Sequence, residues 1–159
     1  MRNTKMLGAV AALALLAACE STTNNAATGA GAAANTSAGP RPGSQEDLVA
    51  NVGDRVFFDT DISSIRADQR SILERQAGWL ARYPGVTVQV EGHADERGTR
   101  EYNLALGQRR ANAARDVLVA GGTAGARIAT ISYGKDRPAA LGSSEDAWAQ
   151  NRRAVTVVR

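Results

Sequence analysis

The sequence predicts an α+β domain over residues 44–159, a mixed β-sheet with helices packed on it in the order βαβαβ(α)β. Three observations point there. Short runs rich in β-branched and aromatic residues alternate with stretches in which apolar residues recur at helical spacing. Glycine and proline punctuate the boundaries, at Pro84-Gly85 and Gly121-Gly122 above all. The segment, about 115 residues, suits one compact domain and not two.

Val56-Phe57-Phe58, in GDRVFFD, reads as a short strand ended by the polar DTD. A helix follows from about Ala67 to Tyr83. Ile72, Leu73, Ala77 and Leu80 form its apolar face, while Asp68, Arg70, Glu74, Arg75 and Arg82 take the other positions. Pro84-Gly85 stops it, and Val86 to Val90 alternate as a second strand. After the polar turn GHADERG, Thr99 is placed to cap a long helix to about Ala120, which Gly121-Gly122 ends. Arg127 to Tyr133 and Ala154 to Val158 read as the third and fourth strands. Between them Ser143 is placed to cap a short helix holding Trp148, whose ring is expected to fill the core.

The segment ahead of the domain has a different character. Arg2 and Lys5 precede a 13-residue apolar run, Met6 to Ala18, which reads as a secretory signal over residues 1–18. At roughly 20 Å such a run is too short to span a hydrocarbon core of about 30 Å. Cys19 follows directly and is the sole cysteine, so an exported chain has no internal disulfide to make with it. Residues 20–43 contain no large apolar side chain and read, with Cys19, as a flexible tether. Loss of the signal takes Arg2 and Lys5 with it and leaves 17 basic against 16 acidic residues. That balance gives no reason to expect a nucleic-acid partner.

GHADERG sits at a strand end beside a helix start, a common place for a ligand. On the helix, Asn103, Leu106, Arg110, Ala113 and Val117 share one stripe. An Arg on such a face needs an anion or solvent, since an unpaired buried charge costs several kcal/mol (order of magnitude). Two partners stay open: a ligand, or Asp95 or Glu96 within the protein. His93, the only histidine, lies close to Asp95 but falls short of a metal ligand set and reads as structural. Gly92 and Gly98 read as turn residues that permit positive φ. Neither phosphate-loop glycine spacing occurs, nor a G-x-S-x-G or H-E-x-x-H motif, so no cofactor, metal or catalytic residue is assigned. A wall hydrolase using Asp95 and Glu96 is disfavoured, because a glycosidase pair must flank the scissile bond about 5–9.5 Å apart and adjacent turn residues diverge.

EGHADERGTREYNLALGQRRANA, with VFFDTD, SYGKDRP and AWAQNRRAV in the same order, resembles the OmpA-like C-terminal domain, in particular its peptidoglycan-associated lipoprotein branch. Ala94-Asp95 and Leu106-Gly107 stand where broader OmpA-like domains often show Thr-Asp and Leu-Ser, which is similar to that branch. The resemblance implies the same fold and non-covalent binding of peptidoglycan through diaminopimelate of its stem peptides, with Asp95 and Arg110 as ligand contacts and Asn103, Leu106, Phe58 and Asp59 completing the expected binding set. It places Phe58 and Asp59 beside the GHADERG turn, with backbone N–H groups near Asp59 and Thr60 available to a carboxylate. Leu16-Ala17-Ala18-Cys19 resembles a lipobox, which implies acylation of Cys19 and an anchor of two or more chains. The resemblance further implies a non-enzymatic lipoprotein on the periplasmic face of the cell outer membrane, in the Tol-Pal system, with TolB and other Tol proteins as partners and a part in envelope integrity and cell division. A scaffold lipoprotein without wall binding is the remaining alternative. Asn151-Arg152-Arg153 reads as a solvated charged stretch, with a partner contact as the alternative.

Overall fold

The computed structural model describes residues 39–159. The expected signal, Cys19 and most of the tether lie outside the described residues. In chain order the elements are α1 (Gln45–Asn51), β1 (Arg55–Phe57), α2 (Ala67–Arg82), β2 (Val88–His93), α3 (Arg100–Ala120), a 3-10 turn (Gly125–Arg127), β3 (Ile128–Gly134), α4 (Glu145–Asn151) and β4 (Arg153–Val158). The α+β class and the mixed sheet are as expected.

The sheet runs β1-β4-β2-β3. β4 lies antiparallel to both β1 and β2, while β2 and β3 are parallel, with Val88 opposite Ile128 and Val90 opposite Thr130. The parallel pair is joined through α3, as a parallel connection requires a crossover. α3 packs on β2 and β3 and against α2. Leu73, Ala77 and Leu80 of α2 thereby meet Ala111, Ala114 and Leu118 of α3 and Val88 and Val90 of β2 in one core.

Helix α1 was not foreseen. Ser44 caps it, its Oγ accepting from the Asp47 N–H at 3.3 Å, and Leu48 is fully buried. The Asp47 carboxylate accepts from the indole of Trp79 at 2.9 Å and from the Gly43 N–H at 2.9 Å. Seven residues with a single fully buried apolar side chain carry no readable periodicity, and the helix owes its existence to those tertiary contacts.

Four further expectations are corrected. The buried face of α3 is Asn103, Leu106, Gly107, Arg110, Ala111, Ala114 and Leu118, with Ala113 and Val117 at its margin. Its lower half follows 107, 111, 114 and 118, because a period of 3.6 carries the stripe off a strict three-four count. Gly92 is not a turn residue: it lies in β2 without positive φ, whereas Gly98 has φ +88°. Ser144, not Ser143, caps α4. Trp148 is only half-buried and stands at the GHADERG turn, and the core tryptophan is Trp79.

Candidate functional site

The strand end, the turn and the first half of α3 enclose a cleft of about 300 Å³ lined by Thr60, Asp61, Ala94, Asp95, Arg97, Gly98, Tyr102, Asn103, Leu106 and Arg110. Four of the residues singled out from the sequence therefore meet in one place: Asp95, Asn103, Leu106 and Arg110.

Arg110 forms the floor. Its guanidinium donates from Nε to the Ile62 carbonyl at 2.8 Å, from Nη1 to that of His93 at 2.9 Å and from Nη2 to that of Asp59 at 3.0 Å. It lies 5.1 Å from the centre of the Phe58 ring. Burial lowers its pKa to about 10, so it stays charged at neutral pH. Neither Asp95 nor Glu96 bonds to it; the internal ion pair, one of the two readings left open, is not formed, and three backbone carbonyls from two segments hold the group instead. A guanidinium has five N–H donors. One on each terminal nitrogen is left over.

Phe58 and Asp59 support this floor from behind and do not line the cleft. Phe58 is buried under Arg110, and Asp59 contributes its carbonyl while its exposed carboxylate pairs with Arg66 at 3.1 Å. Asn103 donates from Nδ2 to the Arg97 carbonyl at 2.7 Å and so ties the turn to the helix. Gly98 continues that turn at positive φ, and Lys135 clamps it by donating to the carbonyls of Glu96 at 3.2 Å and Gly98 at 2.6 Å.

Asp95 sits on the wall, 7 % exposed. Its Oδ1 accepts from the N–H and the Nε of Arg97, both at 3.1 Å; its Oδ2 accepts from Nη2 of Arg97 at 2.6 Å and from Nη1 of Arg152 at 3.4 Å. Burial alone would raise the carboxyl pKa, but the Arg97 bonds, with Arg152, outweigh it and hold the group below its ordinary range.

Two polar bridges join the sides of the cleft. Arg97 donates to Oγ1 of Thr60 at 3.3 Å, and the Tyr102 hydroxyl bonds to the carboxylate of Asp61. Asp61 is the one non-glycine among the described residues with positive φ, at 61°. The Arg97 guanidinium also lies 4.2 Å above the ring of Trp148, whose indole donates to Glu96 at 3.0 Å.

Arg97, Tyr102, Asp61 and Arg152 were missed from the sequence. The Asn151-Arg152-Arg153 stretch is buried, not solvated. Arg152 donates to the Phe58 carbonyl at 3.1 Å and to Glu145 at 2.6 Å as well as to Asp95. Asn151 accepts from the N–H groups of Ala139 and Ala140 at 2.7 and 3.0 Å. The only sequence signal was the density of Arg close to a short helix, and it does not separate a buried brace from a charged surface. Among the described residues no cluster of His, Cys, Asp and Glu is arranged to hold a metal ion.

A strand-turn-helix cleft that gathers two carboxylates, Asp61 and Asp95, and two guanidiniums, Arg97 and Arg110, on a rigid α+β frame has the form of a small-ligand site. The model of the OmpA family matches residues 57–152, which span the cleft. The peptidoglycan-associated lipoprotein of Rhizobium meliloti is 57 % identical over 159 residues, covering 99 % of this chain and 88 % of its own. That of Haemophilus influenzae is 42 % identical over 95 % of each. The crystal structure of the peptidoglycan-associated lipoprotein from Burkholderia pseudomallei is 40 % identical, with TM-score 0.67, covering 71 % of this chain and all of that one. The C-terminal domain of Helicobacter pylori MotB, 24 % identical with TM-score 0.63 over 67 % of this chain and 84 % of its own, shares the fold. The chain belongs to the OmpA family, as a member of its peptidoglycan-associated lipoprotein branch.

Proposed function

We propose that this protein is a lipid-anchored module that binds peptidoglycan non-covalently through diaminopimelate and ties the outer membrane to the wall from its periplasmic face, without enzymatic activity. The observation that carries this reading is the convergence of Asp95 and Arg110 on one cleft. The free end of diaminopimelate bears an ammonium and a carboxylate on one carbon. Asp95 suits the first, and the two unused N–H groups of Arg110 suit the second in a planar fork that Lys lacks. Asn103 and Leu106 shape the space between them.

Residues 1–18 serve as the signal and residues 19–43 as the tether of residues 44–159 in this reading. Acylation of Cys19 supplies the anchor. Labelled palmitate is expected to enter the wild type and not Cys19→Ser, and equal labelling of the two would refute the anchor. A place in the Tol-Pal system, with TolB and other Tol proteins as partners and a part in envelope integrity and division, completes the proposal; its support is the family alone, and a pull-down from envelope extract tests it.

The deciding experiment is sedimentation of the protein with purified cell walls, with soluble muropeptides followed in parallel. Co-sedimentation without muropeptide release is expected. Release of muropeptides would favour a hydrolase, and no sedimentation would favour a scaffold.

A further inference from the structure

We infer that the Arg97 guanidinium is a resident stand-in for the ligand's ammonium on Asp95, and that its displacement sets which ligands the cleft accepts. The inference rests on the reading of Asp95 as the ammonium subsite. A carboxylate offers about four lone-pair positions, and on Asp95 each has a donor: the N–H, Nε and Nη2 of Arg97, and Nη1 of Arg152. An incoming ammonium therefore has to replace one of them.

The two arginines differ in how they are held. Arg152 has 8 % side-chain exposure and is fixed by the Phe58 carbonyl and Glu145. The side chain of Arg97 is 39 % exposed and rests on the rim between Thr60 Oγ1 and the face of Trp148. Arg97 is the one that can leave. Its departure also removes the bridge to Thr60 across the cleft that Arg110 lines.

The exchange has a consequence for selectivity. A ligand with an ammonium alone trades one cation for another on Asp95 and gains no charge-assisted bond. A ligand whose ammonium carries a carboxylate on the same carbon also brings an anion, which the free N–H groups of Arg110 and the released Arg97 at the rim can both reach. The cleft thus rejects a simple amine because it already holds one cation, in addition to whatever Arg110 selects. This is exclusion by an occupied site, a repulsive element of specificity.

The test is calorimetric titration of the full-length lipoprotein in detergent with two stem tripeptides, one ending in diaminopimelate and one ending in lysine. Wild type, Arg97→Met and Arg97→Gln are compared. Met keeps an apolar stem against Trp148 while losing every side-chain donor; Gln keeps one amide. Circular dichroism and thermal unfolding check that both variants fold. The lysine peptide is expected to gain about tenfold in affinity in both variants, the order of one charge-assisted bond no longer displaced, so that discrimination between the two peptides narrows. Unchanged or wider discrimination overturns the inference. So does narrowing that comes only from weaker diaminopimelate binding, which would make Arg97 a direct contact to the ligand carboxylate while leaving Asp95 and Arg110 as the site. Failure of wild type to bind the diaminopimelate peptide would overturn the site reading and this inference together.

Discussion

Gly92 of β2 and Gly107 of α3 touch backbone to backbone. A Cβ on Gly107 would stand 2.8 Å from the Gly92 carbonyl oxygen, and a Cβ on Gly92 would fall on the carbonyl of Gly107. This contact sets the distance between α3 and the sheet one residue before His93 and three before Arg110, and so positions both walls of the cleft. On the Gly92 side the obstruction is all backbone and has no rotamer by which to yield, whereas a Cβ on Gly107 would meet the Ser132 hydroxyl as well, nearer than the Gly92 backbone.

Gly92→Ala is accordingly expected to lower stability by about 3 kcal/mol or more, the upper end of overpacking costs. Gly98→Ala makes a useful contrast. Its Cβ would meet nothing nearer than Tyr102 at 3.7 Å, so only its φ of +88° resists substitution, at a cost of about 1 kcal/mol. Urea unfolding midpoints of the two variants against wild type check the difference, and equal shifts would contradict the close approach.

The same pair shows where sequence reading reached and where it stopped. The glycine at 92 was visible, but its role was not, because a close helix-strand contact depends on a partner fifteen residues away. Thr99 as the cap of α3 and Pro84-Gly85 as the end of α2 were legible because their signals are local. Of the site, Asp95 and Arg110 were found through the resemblance and the stripe. Arg97 and Arg152 were not, because an Arg acquires its meaning from the carboxylate it meets in space, 57 residues off in the case of Arg152 and Asp95.

Arg110→Ala is expected to weaken both stability and binding. It leaves the carbonyls of Asp59, Ile62 and His93 without their donor, and buried polar groups left unpaired cost about 1–3 kcal/mol each, so a loss of at least about 3 kcal/mol is expected overall. Arg110→Lys restores a charge but not the fork, and should recover part of the stability and little of the affinity for a diaminopimelate peptide. Thermal unfolding and calorimetric binding measured on the same samples separate the two. Full recovery of binding by Lys would remove the case for a bidentate contact.

His93 is expected to make the fold sensitive to acid. Neither ring nitrogen has a hydrogen-bond partner, and although Glu91 lies 3.7 Å from Nε2, burial, with Arg153 and Arg137 nearby, lowers the pKa from 6.5 to about 4. The unfolded chain therefore takes up this proton at higher pH than the folded one. The contribution to stability is complete above about pH 6.5 and is lost as pH falls towards 4, amounting to at most about 3 kcal/mol. Carboxylates titrate near the lower end of this window, so the check is a comparison of slopes. Tm plotted against pH between 7 and 4 should fall more steeply for wild type than for His93→Gln, and parallel curves would show that the ring does not titrate as described.

Asp95 gives the sharpest separation of binding from stability. Replacing it with Asn removes the anion but keeps the shape and one acceptor oxygen. Arg152 retains Glu145 and the Phe58 carbonyl, while Arg97 is exposed enough to be solvated, so the stability loss should be only about 1 kcal/mol. Binding should suffer more. A charge-assisted contact contributes about 1.5–3 kcal/mol, part of which is offset by the Arg97 bond the ligand displaces, so affinity for a stem peptide ending in diaminopimelate should weaken about tenfold. The pH dependence has a definite sign. Burial would raise the Asp95 carboxyl pKa, but its bonds to Arg97 hold it below the ordinary carboxylate value, so the folded protein keeps this anion to lower pH than the unfolded chain does. Its contribution to stability is present above the unfolded pKa of about 3.9 and disappears as pH falls through the folded value. Wild-type binding should therefore persist as pH is lowered to about 5, within the range where an unperturbed carboxylate is still largely ionised. Calorimetry with the diaminopimelate and lysine peptides at pH 7 and pH 5, with thermal unfolding of each sample, decides the matter. If correctly folded Asp95→Asn binds the diaminopimelate peptide as tightly as wild type, the carboxylate is a structural brace for Arg97 and Arg152 and not the ammonium subsite.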